Sequence, residues 1–343
     1  MFRAVAILTV LMLVIGTSDA ALLGKKEPFH SVDRRDTLYA GPGGSMPTQT
    51  ITLWVHENRR ALSSRLLPLQ LLRLPAASPS GRPPVLILAS VDGDTGNEFI
   101  ERRWDLIEAL RARNDVVVLD PRARGWSAGA PSCRSFYGAE PGSSKRAADQ
   151  CLAYWRTAGY DTGGYTRDAI ADDISAAVTA LGGRVVLLAD GSAAPSAMLA
   201  VARQPKLFER AALLSPVVEG RAESHTDLLE GLPTMLAANG ETARLKLPRA
   251  DWLPAIPWMG RGRLPDMLVL TGTTPDNPDA KPARRLTRYF KKQRSMVVVR
   301  NSGGDPIGRS PSALEMLVRF TEGDHVPSQS VAVAPAALAA SEF

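Results

Sequence analysis

The chain has 343 residues, 45% hydrophobic and 22% charged, with a formal net charge of +6. That balance is ordinary for a globular protein and fits one large α/β domain, with or without an inserted subdomain. The basic residues gather only locally, as from Arg284 to Arg294, where Leu286, Tyr289 and Phe290 supply an inward helix face. Such a stretch is a solvated helix side, and it lacks the broad basic face or module that nucleic-acid binding needs.

The N-terminus carries Arg3, an apolar run from Ala4 to Gly16, and the small-residue site Ser18-Asp19-Ala20. This pattern predicts a secretory signal over 1–20, cleaved after Ala20. A spanning helix needs about 20 apolar residues, and no second run of that length follows. The mature chain is therefore expected to be soluble, exported to a bacterial periplasm or secreted, and without a stable membrane anchor. Residues 21–48 are polar and rich in Gly and Pro, and read as an N-terminal arm. Thr50 to His56 alternates as a half-buried strand does, and Leu66 to Leu74 reads as its antiparallel partner.

From Val85 the rhythm turns to strand and helix in alternation. Val85 to Ala89 and Val116 to Leu119 are short continuous apolar runs, suited to strands buried on both faces. Between them, Glu98 to Arg113 places Phe99, Ile100, Trp104, Ile107 and Leu110 at helical spacing. Thr166 is placed to cap a helix running to Leu181, with Asp168 favourable in its first turn. Strands over Val185–Ala189, Arg210–Ser215, Met267–Thr271 and Met296–Val299 alternate with helices over Ala193–Ala202, Lys281–Lys292 and Ser312–Phe320. The whole predicts a mostly parallel sheet with helices on both faces. The alternation lapses over 218–265, which reads as a short lid inserted between core segments 49–217 and 266–325; residues 326–343 read as a disordered tail.

Cys133 and Cys151 are the chain's two cysteines. In an oxidising compartment the pair is expected to form a disulfide, with two buried thiols as the alternative. Two cysteines and four scattered histidines give no metal-ligand spacing, so neither metal nor cofactor is expected.

The segment Arg184 to Arg203 reads strand, small-residue corner, Ala-rich helix, with Ser192 at the corner. This is the layout of a nucleophile elbow, although the pattern G-x-S-x-G reads Asp190-Gly191-Ser192-Ala193-Ala194. A bland role for Ser192 is to cap the following helix. The segment Val116 to Ser127, with Asp120-Pro-Arg-Ala-Arg-Gly-Trp-Ser127, resembles the strand and Asp-x-Arg-Gly-x-Gly-x-Ser turn of α/β-hydrolases. It is most similar to the secreted prolyl and tripeptidyl aminopeptidase-like branch, whose order is also followed by Cys133, Cys151, Tyr160-Asp161, Tyr165-Thr166 and Ala171-Asp172-Asp173.

The resemblance implies an α/β-hydrolase fold with a nucleophile, base, acid and oxyanion hole. Ser192 matches the nucleophile, and the Ala193 backbone N–H one donor of the hole. The second donor would come from Ser90 to Gly96, where Asp92 and Asp94 oppose a developing negative charge. Asp276 matches the acid with a one-residue slip, since the expected position falls on Pro275. The stretch expected to hold the base, Arg300 to Ile307, has no histidine. His225 and His325 are the candidates to replace it, while His30 and His56 lie early in the chain. Asp305 is a poor base for a serine hydroxyl, its ordinary pKa of about 3.9 being far too low. Asp120, Arg122 and Arg124 read as a structural polar network.

These features predict an exported hydrolase-fold protein that has lost the standard triad and binds a peptide, ester or protein under its lid. The alternative is an active serine hydrolase or peptidase acting through Ser192 with a rearranged base.

Overall fold

The apolar runs Val85-Leu-Ile-Leu88 and Val116-Val-Val-Leu119 become neighbouring central strands of a ten-stranded sheet. In the computed structural model the described residues are 28–89, 95–127, 144–216, 264–274, 280–287 and 294–334. The strands are β1 (Ser31–Gly41), β2 (Gly44–His56), β3 (Leu66–Leu74), β4 (Val85–Leu88), β5 (Val116–Leu119), β6 (Val185–Asp190), β7 (Phe208–Leu214), β8 (Asp266–Gly272), β9 (Arg294–Arg300) and β10 (Gln329–Ala332). Their order across the sheet is β1-β2-β3-β5-β4-β6-β7-β8-β9-β10. β1, β2, β3 and β5 pair antiparallel in succession, and every pair from β5 to β10 is parallel. Without the two edge strands, the order is first, second, fourth, third, then fifth to eighth, with only the second strand reversed. That arrangement is the α/β-hydrolase fold.

The helices are α1 (Gly96–Arg102), α2 (Trp104–Arg111), α3 (Ser144–Thr157), α4 (Arg167–Ala180), α5 (Ala194–Arg203), α6 (Lys281–Thr287), α7 (Pro306–Arg309) and α8 (Pro311–Thr321). The pleat divides each central strand between two cores. Leu86 and Leu88 pack with Ile174, Ala197 and Met198 under α4 and α5, whereas Val85 and Ile87 pack with Phe99, Ile107 and Leu317 under α1, α2 and α8. Both faces of these runs are thus covered, which is why they carry no polar alternation.

Thr166 caps α4 as expected, its side chain accepting from the Ala169 N–H, and Asp168 lies in the first turn. The single helix expected over Glu98–Arg113 is instead two, because Arg103 leaves the helical region at φ −115°, ψ 31°. Two terminal expectations are overturned. The polar arm over 21–48 contains β1 and the start of β2, joined at Gly41 and Gly44 as a hairpin. The tail expected to be disordered from 326 contains β10, paired with β9 from Gln329↔Val297 to Ala332↔Arg300. Both are edge strands with largely exposed side chains, so neither displays an apolar face in its sequence. The expected signal (1–20), and the lid apart from Leu264 and Pro265, lie outside the described residues.

Candidate functional site

β6 ends at Asp190, Gly191 to Ala193 form a 3₁₀ turn, and α5 begins at Ala194 with Pro195 in its first turn. The chain reverses at Gly191, whose φ of +52° is left-handed; Ser192 is not among the residues with positive φ. Glycine adopts this conformation without the Cβ penalty that any other residue meets. Two residues either side of Gly191 stand Ala189 and Ala193, both fully buried. Asp190 points to Arg102, with Oδ2 3.6 Å from Nη2. Ser192 is half-buried one residue beyond the left-handed position. It is not the cap of α5; that position is Ala193, with no side-chain cap bond. The first backbone N–H after the left-handed residue is therefore that of Ser192, and Ala193 follows it.

The loop after β9 faces the same edge of the sheet. Asn301 and Gly303 are left-handed at +65° and +63°. Ser302 is buried and donates to the Val299 carbonyl at 2.8 Å, while Ser215 after β7 donates to the Gly304 carbonyl at 3.0 Å. Asp305 caps α7 by accepting the Gly308 N–H at 2.8 Å, and pairs with the buried guanidinium of Arg103. The position expected for a base is thus held by an ion pair that ties the α1–α2 junction to the β9–α7 loop.

The histidines are placed by the topology. His56 ends β2, four strand positions from β6, which at about 4.8 Å per position is about 19 Å away. Its Nδ1 lies 3.4 Å from the Ser64 carbonyl. His30 precedes β1, one strand further out, and is exposed. His325 is exposed at the opposite edge, since the carbonyl of adjacent Asp324 accepts from Arg210 at 2.7 Å, and Arg210 pairs with Asp266 at the start of β8. Among the described residues no histidine is placed to reach Ser192. His225, Asp276 and Ser90 to Asp94 lie outside the described residues.

Polar chemistry is denser beside the turn after β5. Asp120 is buried and accepts the N–H groups of Gly96 at 2.6 Å and Trp126 at 2.7 Å. Burial raises its carboxyl above the ordinary range against the opposing pull of these N–H groups. Gly125 is left-handed at φ +45°, and a Cβ there would collide with the Asp120 carboxylate. Arg122, with no exposed surface, holds Asp173 through Nε and Nη2 at 2.6 Å each and donates to the carbonyls of Glu57 and Gly164. Burial alone would raise Asp173, but Arg122 and Arg59 hold its carboxyl below the ordinary range.

Glu57 joins this cluster by accepting from Tyr165 Oη at 2.7 Å and pairing with Arg65 at 3.0 Å. Burial, and then Glu57, push the Tyr165 hydroxyl well up. The one network expected of Asp120, Arg122 and Arg124 does not form; Asp120 instead closes its own turn through Gly96 and Trp126, while Arg122 anchors a second set with Glu57, Gly164 and Asp173. Arg122, Glu57 and Asp173 thereby join the segment after β2 to α4.

Cys151 is buried on α3 and Cys133 lies outside the described residues; no free cysteine occurs among the described ones. Among the described residues no group of three or more His, Cys, Asp or Glu could hold a metal ion, and no helix is long and apolar enough to cross a membrane.

No protein-family model and no curated protein sequence matches the chain. Solved structures with a similar backbone include E-2-(acetamidomethylene)succinate hydrolase, at 14% identity and TM-score 0.47 over 80% of this chain and 100% of that one. A thermophilic esterase from Thermogutta terrifontis is similar at 16% identity and TM-score 0.47, over 80% and 99%. A putative hydrolase from Bacillus subtilis is similar at 13% identity and TM-score 0.48, over 84% and 92%. The fold assignment rests on the strand order above, and these likenesses add no functional argument.

Proposed function

We propose that this chain is an exported, catalytically impaired descendant of the aminopeptidase-like hydrolases that binds a peptide, ester or protein ligand at the elbow edge of its sheet. The observation carrying this reading is Gly191. In a nucleophile elbow the reactive side chain stands on the strained residue directly after the strand, and here that residue has no side chain. The flanking pattern then reads Ala189-Asp190-Gly191-Ser192-Ala193, with a small, fully buried residue at each end.

Two further features support it. Asp305 is committed to Arg103 and the α7 cap, and no histidine faces the turn among the described residues. Removing nucleophile or base from a serine hydrolase costs several orders of magnitude in rate. Ser192 and Ala193 lie in the turn at this edge and would line a ligand held there without cleaving it. The lid over 218–265, the signal over 1–20 and the Cys133–Cys151 bridge belong to the same reading.

A fluorophosphonate probe tests it on the folded full chain. No labelling is expected above that of the Ser192→Ala variant. Stoichiometric labelling that Ser192→Ala abolishes would establish Ser192 as an activated nucleophile and overturn the reading.

A further inference from the structure

We propose that β1 is a self-pairing edge, through which two copies of this chain join antiparallel into one continuous sheet. β1 is an outermost strand of eleven residues, and among the described residues no strand covers its outer side. An edge of that length is a template for strand addition unless something occupies or blunts it. Gly41 and Gly44 flank a two-residue turn, so the odd residues of β1 direct their amides to β2 and the even ones outward. Pro47, which has no N–H, faces Leu38 at a position that needs none from it. Val32, Arg34, Asp36 and Leu38 therefore present the free backbone groups. Leu38 is 74% exposed, and among the described residues Leu62 is the one large hydrophobic side chain more exposed.

Symmetry restricts the pairing. Two identical antiparallel edge strands are related by a two-fold axis normal to the sheet, which keeps each face on its own side. Opposed residues must then have the same parity, so the axis passes through a residue. With the axis at Arg34, Arg34 meets its own copy and Val32 meets Asp36. With the axis at Asp36, two carboxylates meet and Arg34 faces Leu38.

Only with the axis at Arg35 do both chemistries match. Arg34 then faces the second copy's Asp36, and Val32 faces its Leu38, each pair occurring twice. The one like-charge contact, Arg35 with its copy, lies diagonal to Asp33 of both strands, within reach of a long side chain. The occupant of this edge is accordingly a second copy of the chain, and the interface is isologous.

Sedimentation equilibrium on the purified full chain is expected to give twice the chain mass. Arg34→Asp and Asp36→Arg should each weaken association by about tenfold or more, since each opposes like charges twice. The double variant R34D/D36R should recover most of that loss. Arg34 and Asp36 are exposed residues that also bond within the chain, Arg34 Nη2 donating to the Ala180 carbonyl at 2.6 Å and Asp36 accepting from Gln49 at 3.2 Å. Unchanged far-ultraviolet circular dichroism and an unchanged urea midpoint therefore verify that each variant folds. As a register-specific measure, Arg35→Cys should crosslink into a dimer under mild oxidation at least about tenfold faster than Arg34→Cys or Asp36→Cys. A monomer at every concentration up to about 100 µM would overturn the proposal. So would a dimer indifferent to both single reversals, or equal crosslinking at all three positions.

Discussion

Asp305 accepts a hydrogen bond from the guanidinium of Arg103, joining two loops that are about 200 residues apart in sequence. The pairing is asymmetric: the Arg103 side chain is 6% exposed and that of Asp305 43%. Arg103 Nε is buried without a partner among the described residues, so Asp305 bears the compensation of a nearly enclosed charge. Removing the carboxylate is therefore the harsher change. Asp305→Ala is expected to lose about 2 to 3 kcal/mol in urea denaturation, including the α7 cap. Arg103→Met in the Asp305→Ala background should recover part of it, because the stranded charge goes too. Equal costs for the single variants, adding without coupling in the double, would show that the pair contributes nothing as a pair.

The left-handed turn at Gly191 separates two readings of the elbow by stability alone. Gly191→Ala forces a Cβ into φ near +52°, and is expected to cost about 1 to 2 kcal/mol. Ser192→Gly removes no strain, because Ser192 is not left-handed, and should not stabilise the protein. A stabilised Ser192→Gly beside a neutral Gly191→Ala would put the strained residue at Ser192 instead.

The central strands were legible because Val85 to Leu88 and Val116 to Leu119 are buried on both faces and leave a continuous apolar signature. The Thr166 cap was legible because capping is local. β1 was not, since Asp33-Arg-Arg-Asp36 on an exposed edge looks like loop. The strand–turn–helix around Ser192 was legible, but the left-handed φ at Gly191 was not, because it is a property of the folded backbone. The Glu57, Arg122 and Asp173 cluster was only partly visible, because its bonds cross 65 and 51 residues of chain.

Acid should loosen that cluster first. Asp173 has a carboxyl pKa held below its ordinary value, by Arg122 and Arg59 against the effect of burial. A depressed folded pKa contributes stability that is complete above the unfolded pKa of about 3.9 and is lost as pH falls toward the folded value. Urea midpoints are therefore expected to fall from pH 5 to pH 3. The fall should be shallower in Arg59→Gln, which removes one of the two cations while leaving Arg122 in place. An unchanged slope in that variant would show that Arg59 does not depress Asp173.

The expected Cys133–Cys151 bridge would close a loop of 18 residues, a size that contributes about 3 kcal/mol by constraining the unfolded chain. Peptide mapping without reductant should find the two cysteines in one linked species, and reduction should lower the urea midpoint accordingly. Alkylation of both thiols in the untreated, denatured protein would refute the bridge.

Residues 326–334 make a further prediction because they are structure where none was expected. Val326 is buried in the core under α8, and Val333 packs against the same core. The segment also supplies acceptors to Asn301 at 3.1 Å and Arg309 at 2.8 Å, and Ser328 accepts the Met296 N–H at 3.0 Å. Ending the chain after His325 removes these contacts and bares the outer edge of β9, whose Val297 and Val299 are buried. The truncated protein is expected to lose about 2 to 4 kcal/mol. It should also aggregate at concentrations where the full chain does not, because an apolar parallel strand becomes an open edge. A midpoint within error of the full chain would mean that β10 adds nothing measurable to the sheet.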